Sequence, residues 1–374
     1  MKISLIHDTL NYKGGAERVF LYFIHAFPNS DIYTLSYHPE NTYKEFKNYD
    51  IKPSWYNKIA KSEKFYKKLF FPLGVIAAKN MNLKKYDVIL QSTTREAKYA
   101  KYHKNSLVIC YCHQPFRFIW SPNSYKQFRE ASFLKKQLYN LVIYYLKKID
   151  YKSAQRPDVF IANSQVTAER INQFYGRNVD KIINPPVDVN NFHLSSEIDN
   201  YYLVVSRFEP YKKVDLAIEA FNELQLPLIV VGNGTQKAYL KKLAKENIDF
   251  KEDLSDKELA LLYSKCKAFI FPQIEDYGIT PLEANASGRP VIAYNKGGIK
   301  ETMIPYYSNP KKATALFFNH QDKENLKEAV THFENIKNEF NPDTIRKHAE
   351  QFSIENFIEQ IQGIVSKYYD LKFK

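Results

Sequence analysis

The chain has 374 residues, which is too long for one ordinary hydrophobic core and suits two domains. Hydrophobic residues make up 44% of it, which excludes an intrinsically disordered protein. The formal net charge is +13, and residues 51–150 hold 20 Lys and Arg against 5 Asp and Glu, so this segment carries the whole excess. Such a field attracts nucleic acid, anionic membranes or phosphorylated substrates.

The sequence also bears on the cellular compartment. No apolar run approaches the roughly 20 residues that a membrane-spanning helix needs. The first residues, MKISLIHDTL, lack the long apolar region of a signal peptide and predict a strand instead. The cysteines fit neither a zinc nor a redox spacing, so we expect buried free thiols in a reducing compartment: Cys110, Cys112 and Cys266. A cytoplasmic enzyme fits these features.

In the first half of the chain, short apolar runs alternate with helical patterns. Ile3–Ile6 predicts a strand, followed by a turn that contains Gly14 and Gly15 and by a helical pattern over 19–27. Glycines at such a turn let a ligand approach the backbone closely, although many tight turns use the same pair. Further strands are predicted at 32–35, 87–91, 107–111, 159–162 and 181–184.

Two stretches of the first half combine lysines with large apolar side chains. Residues 51–85 are basic and aromatic, and residues 132–148 predict an amphipathic helix with a wide apolar face. A basic amphipathic segment can lie on an anionic bilayer, and the alternative for 51–85 is a surface helix with solvated lysines. For 132–148 we favour packing against the core, with membrane contact as the second interpretation.

The second half restarts the alternation after Pro185-Pro186-Val187-Asp188, a stiff break that suits a linker. Strands are predicted at 202–205, 228–231, 268–271, 290–294 and 315–318, with helices between them and at 322–337 and 342–369. Strands and helices that alternate on this scale predict parallel, doubly wound sheets.

One strand–loop–helix unit, Phe271–Gly288, carries a clear helix start. Thr280-Pro281-Leu282-Glu283 predicts Thr280 as the N-cap and Glu283 as the closing member of a capping box. Gly288 is placed to end this helix, and the free N–H groups of its first turn suit an anion. From the local pattern alone, Glu275 in the preceding loop is equally well explained as a solvated charge.

The run E-D-Y-G-I-T-P-L-E-A-N-A-S-G-R-P-V-I-A resembles the paired-glutamate signature of retaining glycosyltransferase family 4, which includes sucrose synthase and bacterial mannosyltransferases. Three more segments resemble this family in the expected order: the Gly14-Gly15 turn, Y-C-H-Q-P-F-R-F-I-W, and V-S-R-F-E-P-Y-K-K-V-D-L-A-I-E-A-F. The last has Lys213 where the family usually has glycine. That departure resembles the subgroup that includes O-antigen mannosyltransferases.

The resemblance implies an α/β protein of the GT-B fold, with two Rossmann-like doubly wound domains facing a cleft. The predicted acceptor domain is residues 1–186 and the predicted nucleotide-sugar domain is residues 187–344. The C-terminal helix, residues 345–374, is expected to pack back on the first domain.

The function implied by the resemblance is the transfer of a hexose, mannose from GDP-mannose, to a lipid-linked or polysaccharide acceptor in cell-surface glycan (O-antigen or capsule) biosynthesis. Alternatives are a UDP-sugar donor or a non-catalytic nucleotide-sugar-binding protein. A nicotinamide dehydrogenase is disfavoured because the first strand lacks Gly-x-Gly-x-x-Gly. Nucleic-acid binding is disfavoured because no recognition module is evident. No resident cofactor and no metal are expected, and the sequence has no Asp-x-Asp motif. We expect a cytoplasmic location, with peripheral contact to the inner face of the cytoplasmic membrane through residues 51–150.

The resemblance also assigns roles to residues. The predicted catalytic residues are Glu275, Arg207, Lys212 and His113. Arg207 and Lys212 would hold the donor diphosphate, Glu275 the hydroxyls of the hexose, and His113 would lie by the transferred sugar. The remaining predicted donor-binding residues are Gly14, Gly15, Tyr277, Gly278, Ile279, Thr280 and Glu283, the last of which would bind the ribose. Asp8 and Arg117 are expected to position the sugar or the acceptor.

Overall fold

The computed structural model describes residues 1–59 and 73–374, which form two compact units. The first unit comprises Met1–Asn184 and Phe357–Lys374, and the second comprises Pro185–Asn356. The division therefore falls at the predicted linker. The predicted basic, aromatic segment 51–85 lies partly outside the described residues.

The first unit is built on a parallel sheet, whose seven strands in the described part of the chain have the order β3-β2-β1-β4-β5-β6-β7. The strands are β1 Ile3–Leu10, β2 Asp31–Tyr37, β3 Ile51–Pro53, β4 Val88–Thr93, β5 Leu107–Cys112, β6 Val159–Ala162 and β7 Lys181–Ile182. Strands β2 and β3 are added on one side of β1, and strands β4 to β7 are added on its other side. The topological switch point, where such sheets bind ligands, thus lies between the carboxyl ends of β1 and β4.

Helices flank this sheet. Their described bounds are Gly15–Ala26, residues 73–80, Arg117–Trp120, Lys126–Arg129, Phe133–Ala154, Gln165–Tyr175 and Ile354–Phe373. No described helix in either unit is both long enough and apolar enough to cross a membrane. The cysteines on β5, Cys110 and Cys112, and Cys266 of the second unit are buried free thiols.

A buried polar cluster fastens the long helix Phe133–Ala154 to the rest of the first unit. The carboxylate of Asp150 is fully buried and pairs with the Nζ of Lys98 at 2.7 Å. It also accepts hydrogen bonds of 2.7 Å from the hydroxyls of Tyr99 and Tyr175 and from the indole N–H of Trp120. Burial alone would lower the pKa of Lys98, but Asp150 outweighs it and holds that pKa above its ordinary value. The ammonium of Lys98 therefore stays charged in the core, and the carboxylate of Asp150 has hydrogen-bond donors there.

The second unit contains a six-stranded parallel sheet in the order β10-β9-β8-β11-β12-β13. The strands are β8 Tyr202–Val205, β9 Leu228–Val231, β10 Ile248–Lys251, β11 Phe269–Phe271, β12 Val291–Tyr294 and β13 Ala315–Phe318. The helices are Val214–Leu224, Lys237–Leu243, Asp256–Lys265, Thr280–Ala286, Ile299–Thr302, Lys323–Ile336 and Pro342–Glu350. Strands β9 and β10 lie on one side of β8, and strands β11 to β13 lie on the other. The switch point of this sheet is therefore between the carboxyl ends of β8 and β11. The predicted α/β class with two Rossmann-like sheets is confirmed.

The C-terminal segment differs from the prediction. Residues 345–374 are divided between Pro342–Glu350, which belongs to the second unit, and Ile354–Phe373, which enters the first unit from Phe357 onward. The helix is interrupted after Glu350, and buried side chains anchor each part in its own unit: Ile345 and Ala349 in the second, Phe357 and Ile361 in the first. Phe357 packs edge-on against Phe23 with ring centroids 5.4 Å apart.

Candidate functional site

In the second unit, the loops that follow β8 and β11 meet at the switch point. The first loop carries Arg207 and Lys212, and the second carries Glu275. The ammonium of Lys212 forms an ion pair with Oε1 of Glu275. The structure therefore brings together two of the predicted catalytic residues, which lie 63 positions apart in sequence.

Tyr211, which is not among the predicted site residues, links the two cations of this site. Its hydroxyl accepts a hydrogen bond of 2.8 Å from Nη2 of Arg207, and its ring lies 5.2 Å from the Nζ of Lys212. Arg207 is exposed, whereas the Lys212 side chain is 11% exposed and that of Glu275 is 25% exposed. A guanidinium fork and a partly desolvated ammonium on one loop are suited to a diphosphate.

Two glycines after β12 support the loop that carries Glu275. The N–H of Gly298 donates to the backbone carbonyl of Glu275 at 2.9 Å. Gly297 has a φ of +88°, and a Cβ there would lie 2.5 Å from the same carbonyl oxygen. Side chains at these two positions would displace the loop, so the two glycines fix the backbone position of Glu275.

The start of the helix Thr280–Ala286 corrects the predicted capping box. The N-cap is Ile279, which forms no side-chain cap hydrogen bond, and Thr280 is the first helical residue. The carboxylate of Glu283 instead accepts a hydrogen bond of 2.8 Å from the hydroxyl of Tyr263. The helix therefore starts one residue earlier than a Thr280 cap would allow, and Pro281 is its second residue. Gly288, with a φ of +70°, follows the end of the helix as predicted.

Tyr263 orients Glu283 and had no signal in the sequence. It lies on the helix Asp256–Lys265 and is fully buried. Burial, together with the nearby Glu283 carboxylate, raises the pKa of Tyr263 well above its ordinary value, so the phenol stays protonated and donates. One carboxylate oxygen of Glu283 is thereby held by the protein.

The turn between Glu275 and the helix is held by Tyr277 and Gly278. Tyr277 is buried, and its hydroxyl donates to the backbone carbonyl of Pro185 at 2.9 Å. Gly278 has a φ of +92°, which only glycine adopts readily, and a Cβ there would lie 3.1 Å from the ring of Phe271. The predicted donor-binding backbone, Tyr277 to Thr280, is thus a constrained turn beside the Lys212–Glu275 pair.

In the first unit, Asp8 faces the loop after β4. The carboxylate is buried and accepts hydrogen bonds from the backbone N–H of Arg95 at 2.9 Å, from that of Ala97 at 2.7 Å, and from the hydroxyl of Thr94 at 2.9 Å. Burial raises the pKa of Asp8, but Arg95 and these donors outweigh it and leave the pKa below its ordinary value. Both oxygens serve the loop, which argues against the predicted contact of Asp8 with sugar or acceptor.

His113 follows the end of β5 and is 7% exposed. Its Nε2 lies 2.8 Å from the hydroxyl of Ser92 on β4. Burial lowers the pKa of His113 to about 3. The ring is therefore a neutral hydrogen-bonding group at physiological pH.

The other predicted residues of the first unit lie at helix starts. Gly14 is the N-cap and Gly15 the first residue of the helix Gly15–Ala26. A Cβ at Gly14 would collide with the carboxylate of Glu17, so this glycine makes room for a buried side chain of its own helix. Arg117 is the first residue of the short helix Arg117–Trp120, just beyond β5.

The predicted site residues therefore fall into two groups. Arg207, Lys212, Glu275 and the turn 277–283 form one cluster at the switch point of the second unit. The remainder lie at the carboxyl edge of the sheet in the first unit: Gly14, Gly15, Asp8, His113 and Arg117.

The chain matches the models of two protein families, and the two matches together span residues 13–352. Residues 13–191 match Glycosyltransferase Family 4, and residues 189–352 match Glycosyl transferases group 1. The chain is 25% identical to the Alpha-1,3/1,6-mannosyltransferase ALG2 of Dictyostelium discoideum, over 83% of this chain and 86% of the relative. It is 27% identical to the O-antigen chain mannosyltransferase RfbU of Salmonella typhimurium, over 52% of this chain and 55% of the relative.

Among solved structures, the sucrose-phosphate synthase of Thermosynechococcus elongatus superposes with a TM-score of 0.74 at 15% identity, covering 99% of this chain and 100% of that one. Identity at this level establishes a shared fold alone.

Proposed function

The chain belongs to glycosyltransferase family 4, and from that premise we propose that it transfers mannose from GDP-mannose to a lipid-linked or polysaccharide acceptor in cell-surface glycan assembly. The enzyme class follows from the family, and the choice of mannose draws on the names of the relatives. We further propose that the reaction retains the configuration of the anomeric carbon.

The observation that carries this proposal is the cluster of Arg207, Lys212 and Glu275 at the switch point of the second unit. The two cations would bind the donor diphosphate and stabilise it as it departs, which is where negative charge develops. Glu275 would then accept hydrogen bonds from hydroxyls of the hexose. The N–H groups of the turn before the helix Thr280–Ala286 would meet a phosphate.

Glu283 would bind the ribose hydroxyls, with Tyr263 fixing its carboxylate by the 2.8 Å hydrogen bond. In the first unit, Gly14 and Gly15 would approach the donor, Arg117 the acceptor, and neutral His113 the transferred sugar. The proposed chemistry is carried by these side chains, without a resident cofactor or metal.

A thermal-shift panel of GDP-, UDP- and ADP-sugars tests the donor. A ligand at 100 times its Kd stabilises the folded protein by about 2.7 kcal/mol. We expect GDP-mannose to raise the Tm more than any UDP-sugar does. A larger shift with UDP-glucose or UDP-galactose would replace GDP-mannose by the alternative donor, and a shift with NAD but with no sugar nucleotide would overturn the proposal.

We also propose peripheral contact with an anionic membrane, supported by the helix Phe133–Ala154. Its inner face packs on the core of the first unit, but the opposite face carries a second apolar stripe. The four residues, spaced i, i+4, i+7 and i+11, lie on one side of a helix. Their exposed fractions are 80%, 60%, 54% and 58%, for Leu134, Leu138, Leu141 and Tyr145 in turn.

The charges of this helix favour a lipid surface over a second copy of the chain. Lys148 and Lys152 continue the outer stripe, and Lys135 is exposed beside it. The one acidic residue of the helix is Asp150, which is buried and neutralised by Lys98. Pairing two copies through this face with parallel helices would place lysines against lysines, whereas an anionic bilayer takes both the apolar and the basic side chains.

Flotation with vesicles of anionic phospholipid at low salt tests this contact. The wild type should float, and the triple variant Leu134→Ser, Leu138→Ser, Leu141→Ser should remain with the soluble fraction. Leu261→Ser is the matched control, since Leu261 is 47% exposed on a helix of the second unit. Equal flotation of all three proteins, or none with the wild type, would remove the membrane contact.

A further inference from the structure

Three polar side chains stand side by side across neighbouring strands at the switch point of the first unit. His7 on β1 is the register partner of Ser92 on β4. His113 follows β5, and its backbone N–H donates to the carbonyl of Thr93 at 2.9 Å. The parallel register of β1, β4 and β5 therefore places the Ser92 hydroxyl between two imidazole rings.

The hydroxyl of Ser92 contacts one nitrogen of each ring. It lies 3.0 Å from Nδ1 of His7 and 2.8 Å from Nε2 of His113. The side chains are 1%, 1% and 7% exposed for His7, Ser92 and His113, so water does not compete for these bonds. A serine hydroxyl has a single proton, so it can donate to only one of the two rings and must accept from the other.

Glu17 favours one direction of this hydrogen-bond chain. Its carboxylate is buried, and Oε1 lies 3.7 Å from Nε2 of His7. The His7 ring is held in place by stacking on Phe20, with centroids 4.8 Å apart. A carboxylate beside Nε2 favours the tautomer that carries its proton on that nitrogen, and in this tautomer Nδ1 is an acceptor.

We propose that His7 and Ser92 are positioning residues that fix the tautomer of His113. Ser92 donates to Nδ1 of His7 and accepts from His113, whose proton therefore resides on Nε2. Nδ1 of His113 is then an obligatory acceptor for a hydroxyl of the bound sugar. This step rests on the proposed function, in which His113 lies by the transferred sugar.

The surroundings of His113 agree with a fixed neutral ring. Burial keeps its pKa far below physiological pH, so the second ring nitrogen is not protonated. The ring of Tyr111 packs edge-on against it at 5.0 Å, and Thr167 donates to its backbone carbonyl at 3.4 Å. Because these contacts fix the orientation of the His113 ring, Ser92 and His7 determine only its tautomer.

Nitrogen-15 NMR of histidine-labelled protein reads the tautomer directly, and His113→Gln identifies the signals of His113 among the nine histidines. The wild type should show the Nε2–H form. His7→Phe removes the acceptor, so Ser92 should turn its proton to His113 and invert the tautomer to Nδ1–H. Ser92→Ala should give a mixture of both forms, and Ser92→Thr should restore the wild-type form.

Ser4→Ala is the matched control, because Ser4 is a buried serine on the neighbouring strand β1 and its hydroxyl has no hydrogen-bond partner among the described residues. It should leave the His113 signals unchanged. An Nδ1–H form in the wild type, or an unchanged tautomer in both His7→Phe and Ser92→Ala, would overturn the proposal.

Turnover supplies the second measurement. Ser92→Ala should lower kcat on the order of tenfold while the donor KM stays within about twofold, and Ser92→Thr should recover kcat. A changed tautomer with unchanged kcat would overturn the positioning role. If the wild type transfers no sugar at all, the proposed function fails, and the NMR result still decides the hydrogen-bond assignment.

Discussion

Replacing Glu275 by Gln should strengthen the binding of a free nucleoside diphosphate. Before ligand binding, the ammonium of Lys212 is paired with the Glu275 carboxylate. A diphosphate that binds Lys212 must break this pair and must also approach the negative charge of Glu275. The neutral amide of Gln removes both costs while it keeps the shape of the side chain.

The magnitude follows from the burial of the pair. Two unit charges 4 Å apart interact by about 4 kcal/mol at the effective dielectric of a protein surface. A quarter of the Glu275 side chain is exposed, and rehydration of the freed carboxylate recovers much of this energy. A net effect of about 1–2 kcal/mol remains, which corresponds to a Kd for GDP or UDP roughly 5- to 30-fold lower in the variant.

The intact sugar nucleotide should not show this gain. In the proposed complex Glu275 accepts hydrogen bonds from sugar hydroxyls, and such bonds to a charged group contribute about 1.5–3 kcal/mol. Their loss offsets the release of Lys212. Titration calorimetry should therefore show Glu275→Gln favouring GDP over GDP-mannose.

The control is Glu223→Gln, which breaks the pair of Glu223 with Lys323, 2.6 Å long, at the far end of the helix Val214–Leu224. It should leave both affinities unchanged. If Glu275→Gln binds both GDP and UDP no more tightly than the wild type, Lys212 and Glu275 are not the diphosphate and sugar contacts.

Three further substitutions test the physical account. Lys213 has a left-handed φ of +53°, so Lys213→Gly should raise the free energy of unfolding by about 0.5–1 kcal/mol, while Lys213→Ala, which keeps the strain, should give no gain in urea unfolding. Asp150→Asn leaves the ammonium of Lys98 buried without its carboxylate and should cost about 3–5 kcal/mol by the same measurement; a loss below about 1 kcal/mol would contradict the buried pair. Burial depresses the pKa of His113 to about 3, so this residue is protonated near pH 6.5 in the unfolded chain but stays neutral in the folded chain until the pH approaches 3. The free energy of unfolding therefore falls as the pH drops from 6.5 towards 3. The wild type should lose about 2 kcal/mol more than His113→Gln between pH 7 and pH 5; parallel losses would show that His113 is not buried as a neutral ring.

The central strands were predictable from sequence because both of their faces are buried. Runs such as Leu228–Val231 and Val159–Ala162 are apolar throughout and bounded by polar turns, so they were located at their observed bounds. The edge strand Ile248–Lys251 was missed, since it carries Asp249 and Lys251 and has no continuous apolar run. Ile51–Pro53 was missed for a similar reason: it is a three-residue edge strand that ends in proline.

Predictions from local sequence patterns were wrong or incomplete where a feature depends on residues that are distant in sequence. Thr280 and Glu283 have the spacing of a capping box, but Glu283 bonds to Tyr263, 20 residues away. The outer stripe of the helix Phe133–Ala154 was assigned to the core, because the sequence shows that a face is apolar and does not show what covers it. The alignment of His7, Ser92 and His113 depends on strand order, which no local pattern contains.

The most direct test of the account is the transfer of labelled mannose from GDP-mannose to a lipid-linked glycan acceptor, measured with the wild type and with Glu275→Ala. Both proteins should give the same circular dichroism and unfold cooperatively, because Glu275 lies in a loop and contributes no core contact. The account predicts labelled product with the wild type and a rate at least a hundredfold lower with the variant, of the order expected when a transition-state contact is removed. Wild-type rates in the folded Glu275→Ala protein would contradict it.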